Sequence, residues 1–196
     1  MTKQSMEDKK ELIAKIATAV FGEKGYRTSS LQDVAEKANI SKAGLYHYFK
    51  SKEEILAHIL LNNSDFFLEK LKASIQESAK AQLSPRESFK NLIQVYAQQV
   101  NSDKDLRLIV LRERHQLSTK YMTELLKREQ EMYHLLRDEL QKIPDLEENM
   151  NRNVITFLFI GMSHWLGYWF REGGKEDMVG IIDQNIHAIF HGMLKR

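Results

Sequence analysis

The chain has 196 residues, with 29 Lys and Arg against 27 Asp and Glu, a formal net charge of +2 and no cysteine. A chain of this length buries about 70% of its unfolded surface, so it can build a proper core, and two lobes of one protein fit it better than two independent domains. The near-balance of charge argues neither for nor against nucleic acid; the lack of cysteine excludes a disulfide scaffold and fits a reducing cytoplasm; and neither a secretory leader nor a bilayer-spanning run is expected.

Two prolines and nine glycines leave little punctuation, so long helices should dominate. Met1 to Asp8 reads as a frayed polar arm, its Lys3, Lys9 and Lys10 offset by Glu7, Asp8 and Glu11. Leu12, Ile13, Ile16, Ala17, Val20 and Phe21 then mark the apolar stripe of a first helix that ends at Gly25, and Tyr26 is placed to plug the base of a small lobe.

Ser29 to Lys52, SSLQDVAEKANISKAGLYHYFKSK, is the stretch whose spacing specifies a mechanism. Ser30 followed three residues later by Asp33 is a weak capping box, and Leu31, Val34, Ala35 and Ala38 share one helical face. Asn39 suits a left-handed turn, Ile40 packs inward at the corner, and Ser41 caps a second helix running from Lys42 to Phe49, held by Leu45 and Phe49. The other face of that helix shows Lys42, Gly44, Tyr46, His47 and Tyr48, hydrogen-bonding groups and flat rings suited to base edges and phosphates. Locally, Arg27, Lys37, Lys42, Lys50 and Lys52 outnumber Asp33 and Glu36. By spacing alone, two plainly packed helices remain the other reading.

Gly25 to Leu56, GYRTSSLQDVAEKANISKAGLYHYFKSKEEIL, resembles the DNA-binding signature of the TetR family of bacterial transcriptional regulators nearly position for position, and LYHYFKSKEE is its most specific part. Asn39 stands where a glycine is common, and Ala43 and Gly44 stand where residues vary with operator sequence. The resemblance covers the first quarter of the chain in motif and the rest only in length and helical character. It implies an all-α fold of roughly nine helices, with a helix-turn-helix DNA-binding domain over residues 1–52 and a helical ligand-binding and dimerisation domain over 53–196. Carried over by position, Ser29, Ser30, Tyr46, Tyr48, Lys50 and Lys52 are expected at phosphates, and Gln32, Lys42, Gly44 and His47 at bases. The implied partners are a double-stranded DNA operator of inverted half-sites, a second copy of the chain, and a small-molecule effector.

A long helix should follow from Lys52 to Ala79, capped by Ser51, with Ile55, Leu56, Ile59, Phe66, Phe67, Leu71 and Ile75 inside; joining the two lobes, it is the natural lever between them. Ser84-Pro85 opens the next helix, to about Asn101, whose apolar side carries Leu92, Val95, Tyr96 and Val100; Tyr96 either lines a cavity or completes the core. Asp103 to Gln116 forms a shorter helix whose Arg107, Arg112 and Arg114 either cover a solvated face or grip an anionic ligand group. Ser118 to Ile143 is long again, with Met122, Leu125, Leu126, Met132, Tyr133, Leu136 and Leu140 at helical spacing, before Pro144 and the acidic DLEEN loop.

Val154 to Phe170 is apolar nearly all round, with Phe157, Phe159, Met162, Trp165, Tyr168 and Trp169, so it needs a neighbour on two sides. Gly173-Gly174 makes a turn, and Glu176 to Leu194 returns with a second apolar helix; together they suit a two-fold four-helix interface. His187 and His191 have metal-ligand spacing without a third ligand, so a surface or interface role is expected and no metal. No nucleophile motif, phosphate loop or paired carboxylates point to an enzyme or a cofactor.

The function expected is a cytoplasmic, homodimeric repressor released by a small apolar effector; an activator, or a helical protein-interaction module without DNA binding, are the alternatives. Tyr96, Arg107, Arg112, Met122, Tyr133, Phe157, Met162, Trp165 and Trp169 are the expected effector-lining residues. FIGMSHWLGYWFREGG, Phe159 to Gly174, loosely resembles TetR-type regulators of fatty-acid and steroid catabolism, which makes an acyl-CoA the first candidate and a drug-like compound or free lipid the second.

Overall fold

The computed structural model describes residues 3–144, 146, 150–170 and 175–193. Among these, nine α-helices and one short 3₁₀ turn account for the regular structure, with no strand: α1 (Lys3–Lys24), α2 (Leu31–Lys37), α3 (Lys42–Tyr46), α4 (Lys52–Lys80), α5 (Pro85–Asn101), α6 (Lys104–Glu113), the 3₁₀ turn (Arg114–Gln116), α7 (Thr119–Gln141), α8 (Arg152–Trp169) and α9 (Met178–Met193). The all-helical expectation holds. The glycine turn at Gly173-Gly174 and most of the acidic loop after Pro144 lie outside the described residues.

The chain divides into two compact units, the first Met1–Ser64 with Lys104–Lys127, the second Asp65–Asp103 with Arg128–Arg196. In the first, α1, α2, α3 and the start of α4 close over Ile13, Ala17, Phe21, Val34, Ala35, Leu45, Phe49, Ile55 and Leu56, and α6, the residue after the 3₁₀ turn and α7 add Ile109, Leu117 and Leu125 in that order. At Gly22 α6 packs tightly on α1, since a Cβ there would stand 2.8 Å from Asp105 Cγ. In the second unit, α5 packs on α8 and α9, and Phe67, Leu71, Phe89, Leu92, Leu136, Leu140, Phe159, Leu166 and Ile186 fill the core.

Element ends follow local chemistry. Ser84 caps α5 with Pro85 at its first turn, and Glu87 completes a capping box that neutralises two otherwise unbonded N–H groups. Four expectations need correcting. The polar arm is helical from Lys3, where Gln4 Nε2 donates to Asp8 Oδ1 at 2.9 Å. Leu12 is exposed because it sits one step off the stripe made by Ile13, Ala17 and Val20. Phe66 is likewise exposed on α4, its ring 5.2 Å from Lys70 Nζ. The helix expected to reach Phe49 stops at Tyr46, because the His47 and Tyr48 N–H groups bond three residues back, to Gly44 and Leu45, and tighten the chain into a turn.

Candidate nucleic-acid interface

The motif is assembled from short-range bonds. Gly25, at φ +81°, ends α1, and the Ser29 N–H donates to its carbonyl at 3.1 Å. Ser30 caps α2: its Oγ accepts from the Asp33 N–H at 3.2 Å, and its own N–H donates to Asp33 Oδ2 at 2.7 Å. The Lys24 ammonium on Asp33 Oδ1, then the two bonds from Ser30, hold the Asp33 carboxyl well below the usual carboxylate range. Asn39 turns the chain at φ +53°, a conformation its short polar side chain tolerates. Ser41 then caps α3 by accepting the Gly44 N–H at 3.0 Å, and Ser51 caps α4 by accepting the Glu54 N–H at 3.0 Å.

With Leu45 and Phe49 buried, the opposite side of α3 faces out. Lys42, Tyr46 and His47 are exposed, and Gly44 and Tyr48 are half-buried. A Cβ at Gly44 would stand 3.2 Å from Ser41 Oγ, so glycine keeps the cap bond uncrowded. On α2, exposed Gln32 donates to Glu36 Oε1 at 2.8 Å. Lys50 is exposed and its ammonium caps the end of α3, donating to the Tyr46 carbonyl at 2.7 Å.

Two of the ten expected DNA contacts turn the other way. Ser29 is only 5% exposed, and its hydroxyl donates inward to the Tyr26 carbonyl at 2.8 Å. Lys52 Nζ donates to the carbonyls of Tyr26 at 2.6 Å, Ser29 at 2.7 Å and Arg27 at 3.4 Å, and lies 4.4 Å from the centre of the Tyr26 ring. Burial draws the Lys52 ammonium pKa down against the fields of Glu113 and Asp33. The Tyr26 phenol is pushed up to about 12, first by burial, then by Glu53 and Glu113.

The nine residues expected around an effector are divided between the two units. Arg107, Arg112 and Met122 belong to the first unit, the other six to the second. Tyr96 is buried in the core, its hydroxyl 3.1 Å from His164 Nε2 and its ring 4.9 Å from that of Phe67. Burial raises the Tyr96 pKa and lowers that of His164. Half-buried Met162 lines a pocket of about 10 Å³ with Ile93, Phe159, Ser163 and Ile186, room for about one water. Phe157, Trp165 and Trp169 point outward, 50–64% exposed, and Tyr133 stacks on Phe157 while donating to Asn153 Oδ1 at 2.8 Å. An open groove of about 710 Å³ lies along the start of α5 and α9, lined by Arg86, Lys90, Asp183, Ile186, His187 and Phe190. His164 was not among the expected residues; in sequence it reads only as a polar break in an apolar run. Its one signal is that it is the only histidine of α8, in a run that is otherwise mostly apolar.

His187 and His191 are exposed with ring centres 3.7 Å apart, and among the described residues no third potential ligand joins them.

Residues 13–59 match the model of bacterial regulatory proteins of the tetR family, and residues 82–193 match the tetracyclin repressor-like C-terminal domain. The chain belongs to the TetR family. TetR proteins are DNA-binding transcriptional regulators with a ligand-binding C-terminal domain, and that coarse function is shared here. Among its relatives, the HTH-type transcriptional regulator YuxN of Bacillus subtilis is 31% identical over 108 residues, 55% of this chain and 36% of that protein's length. The HTH-type transcriptional repressor KstR2 of Mycobacterium tuberculosis is 24% identical over 192 residues, 93% of this chain and 92% of KstR2. The crystal structure of AibR in complex with isovaleryl coenzyme A and operator DNA shares the fold at TM-score 0.76 and 22% identity, covering 94% of this chain and 97% of AibR. Among the described residues of this TetR protein, no helix is long and apolar enough to cross a membrane.

Proposed function

We propose that this TetR-family regulator is a repressor that binds, as a homodimer, an operator of two inverted half-sites and leaves it when a small apolar effector enters the C-terminal domain. The observation that carries this reading is the exposed row Lys42, Tyr46 and His47 on a short helix whose buried side, Leu45, is fixed in the core. A rigidly held cation, phenol and imidazole supply the donors and acceptors that base edges and phosphates need. Gln32, Lys42, Gly44 and His47 read bases; Ser30, Tyr46, Tyr48 and Lys50 meet phosphates. In this reading residues 1–52 bind DNA, and 53–196 hold the effector and the partner.

The dimer is supported by α8. Val154, Phe157, Leu158, Trp165, Tyr168 and Trp169 recur at helical spacing and are all exposed, an apolar stripe that water disfavours and a two-fold mate would cover. Nothing stands within 4 Å of a Cβ placed at Gly161, midway along it. Phe157, Trp165 and Trp169, with Tyr133 stacked on Phe157, are therefore assigned to the dimer face; of the expected residues in the second unit, Tyr96 and Met162, with His164, remain for the effector.

A coenzyme A thioester is the first effector candidate, supported by the ligand named in the AibR complex. The core around Tyr96 is packed, so an effector must favour an opened state; it shifts the equilibrium only by its difference in affinity for the two states.

Fluorescence anisotropy tests the DNA reading with duplexes from the DNA flanking the chain's own coding region. An inverted repeat bound about a thousandfold more tightly than random duplex is the expected result; equal affinity for both, or none that depends on salt, favours the protein-interaction alternative. Higher expression of a promoter fusion when the protein is absent distinguishes repressor from activator. Calorimetric titration with acyl-CoAs, free acids and cationic dyes decides the effector class, and silence with every thioester removes the first candidate.

A further inference from the structure

We infer that His187 and His191 form a two-imidazole chelate on the exposed side of α9 for a late first-row divalent cation, copper above nickel and zinc.

Residues four apart in a helix lie one above the other on a single face, and two histidines at that spacing can share one cation. Here the rings of His187 and His191 stand 3.7 Å apart, centre to centre, at an interplanar angle of 39°. Two nitrogens bound to one cation at about 2 Å each lie about 3 Å from one another, so the rings need only a small adjustment to hold it. Both residues are exposed, which lets a hydrated cation reach them. The missing third protein ligand, which argues against a metal at the level of sequence, is replaced by water in the cation's remaining positions.

The backbone settles the tautomer of His191. Its Nδ1 lies 2.9 Å from the His187 carbonyl, which can only accept, so Nδ1 carries the proton. Nε2 then keeps the lone pair that a cation needs, and the carbonyl orients the ring in the way that hydrogen-bonded partners orient metal-bound histidines.

The surroundings agree with a positive guest. The pair occupies the last two turns of α9, where the aligned backbone dipoles favour a cation. Asp183, one turn earlier, is not a ligand, because Gln94 Nε2 at 2.5 Å and Lys90 Nζ at 3.1 Å take its two oxygens. In the groove that His187 lines, Arg86 and Lys90 are matched by Glu87 and Asp183, so no net positive charge opposes the cation. Imidazoles select copper, nickel or zinc, whereas magnesium and calcium seek oxygen ligands.

The chelate requires a helical backbone between the two histidines, so the cation binds only the folded arrangement of α9 and stabilises it. Ile182, Ile186 and Phe190 of the same helix are buried in the core of the second unit. Neither histidine belongs to the α8 stripe assigned to the dimer, so the inference stands apart from the DNA and dimer readings.

The test titrates the full chain calorimetrically with copper, nickel, zinc or magnesium chloride in a buffer that does not bind metals. The expected result is one copper per chain, weaker nickel and zinc, and no heat with magnesium. His187→Gln and His191→Gln should each weaken copper at least about tenfold, while His115→Gln, at an exposed histidine elsewhere, leaves it unchanged. Trp165→Glu with Trp169→Glu should bind copper as wild type does. Saturating zinc should slow hydrogen exchange at the His191 amide about tenfold in wild type and leave it unaltered in His187→Gln. Should a glutamine variant fail to fold, the wild-type ring nitrogens decide: zinc should move the Nε2 resonance of His191 and leave its Nδ1 proton in place. Copper affinity unchanged in either glutamine variant, magnesium bound as tightly as copper, or zinc seated on His191 Nδ1 each overturns the chelate. One copper per two chains, lost in the double tryptophan variant, overturns it as a site of the single chain.

Discussion

Asp33 uses both carboxylate oxygens to fasten α2, Oδ1 to the Lys24 ammonium and Oδ2 to the Ser30 N–H and hydroxyl. Its pKa is depressed in the folded chain, so its contribution is complete above the ordinary value of 3.8 and is lost as the pH falls from there through the depressed value. Urea midpoints should therefore fall less steeply with acid in Asp33→Asn than in wild type. Ser30→Ala removes the hydroxyl of the same cap and should cost about 1 kcal/mol at neutral pH by the same measurement. His164 behaves alike in sign for a different reason: burial disfavours its cation, so the folded pKa lies below 6.5. Stability is then whole above pH 6.5 and declines as the pH falls through the depressed value, because the unfolded chain takes the proton first. Replacing it, as in His164→Gln, should flatten the urea midpoint across that range while leaving the Asp33 limb at lower pH in place.

Among the elements, α1 and α6 pack with no room for a side chain at Gly22. A side chain at Gly22 would meet Asp105 Cγ at 2.8 Å and Cβ at 3.0 Å, atoms too near the α6 backbone to swing aside freely. Gly22→Val should cost about 1–3 kcal/mol in thermal or urea unfolding. Asp105→Ala in the same chain should recover part of the loss, and strict additivity would count against steric contact as its cause. The short span of α3 is an element-scale matter too. Its five residues suffice because Ser41 caps one end and the Lys50 ammonium the other, while Leu45 and Phe49 anchor it to the core.

At the scale of the whole molecule, the apolar stripe on α8 is what a dimer would use, and both tryptophans of the chain stand on it. Trp165→Glu with Trp169→Glu places two charges there without touching either core. The variant should sediment as a monomer with unchanged helix content, and operator affinity should drop about a hundredfold or more, since each motif would then bind its half-site without the advantage of being tethered to the other. A dimer that survives both charges would locate the interface elsewhere. The emission of the same tryptophans in wild type should change with concentration as the dimer dissociates.

The sequence by itself determined whatever is settled within about four residues. Ser30, Ser41, Ser51 and Ser84 were legible as helix caps, Pro85 as a first-turn residue and Asn39 as the left-handed corner, because hydrogen bonds of that range depend on residue type and spacing. The all-helical class was legible for a related reason, since apolar spacing encodes the buried stripe. Only the tertiary structure decided where long or isolated polar side chains go. In the sequence Lys52 is only a basic residue at the start of α4; its bonds to the Tyr26 and Ser29 carbonyls exist because a loop from more than twenty residues earlier closes on it. Tyr96 and His164 are 68 residues apart and become partners only through the packing of α5 on α8. The all-round apolar character of α8 likewise said that two faces need cover; which face the core takes depended on how α5 and α9 pack against it, since burial is a property of neighbours in space.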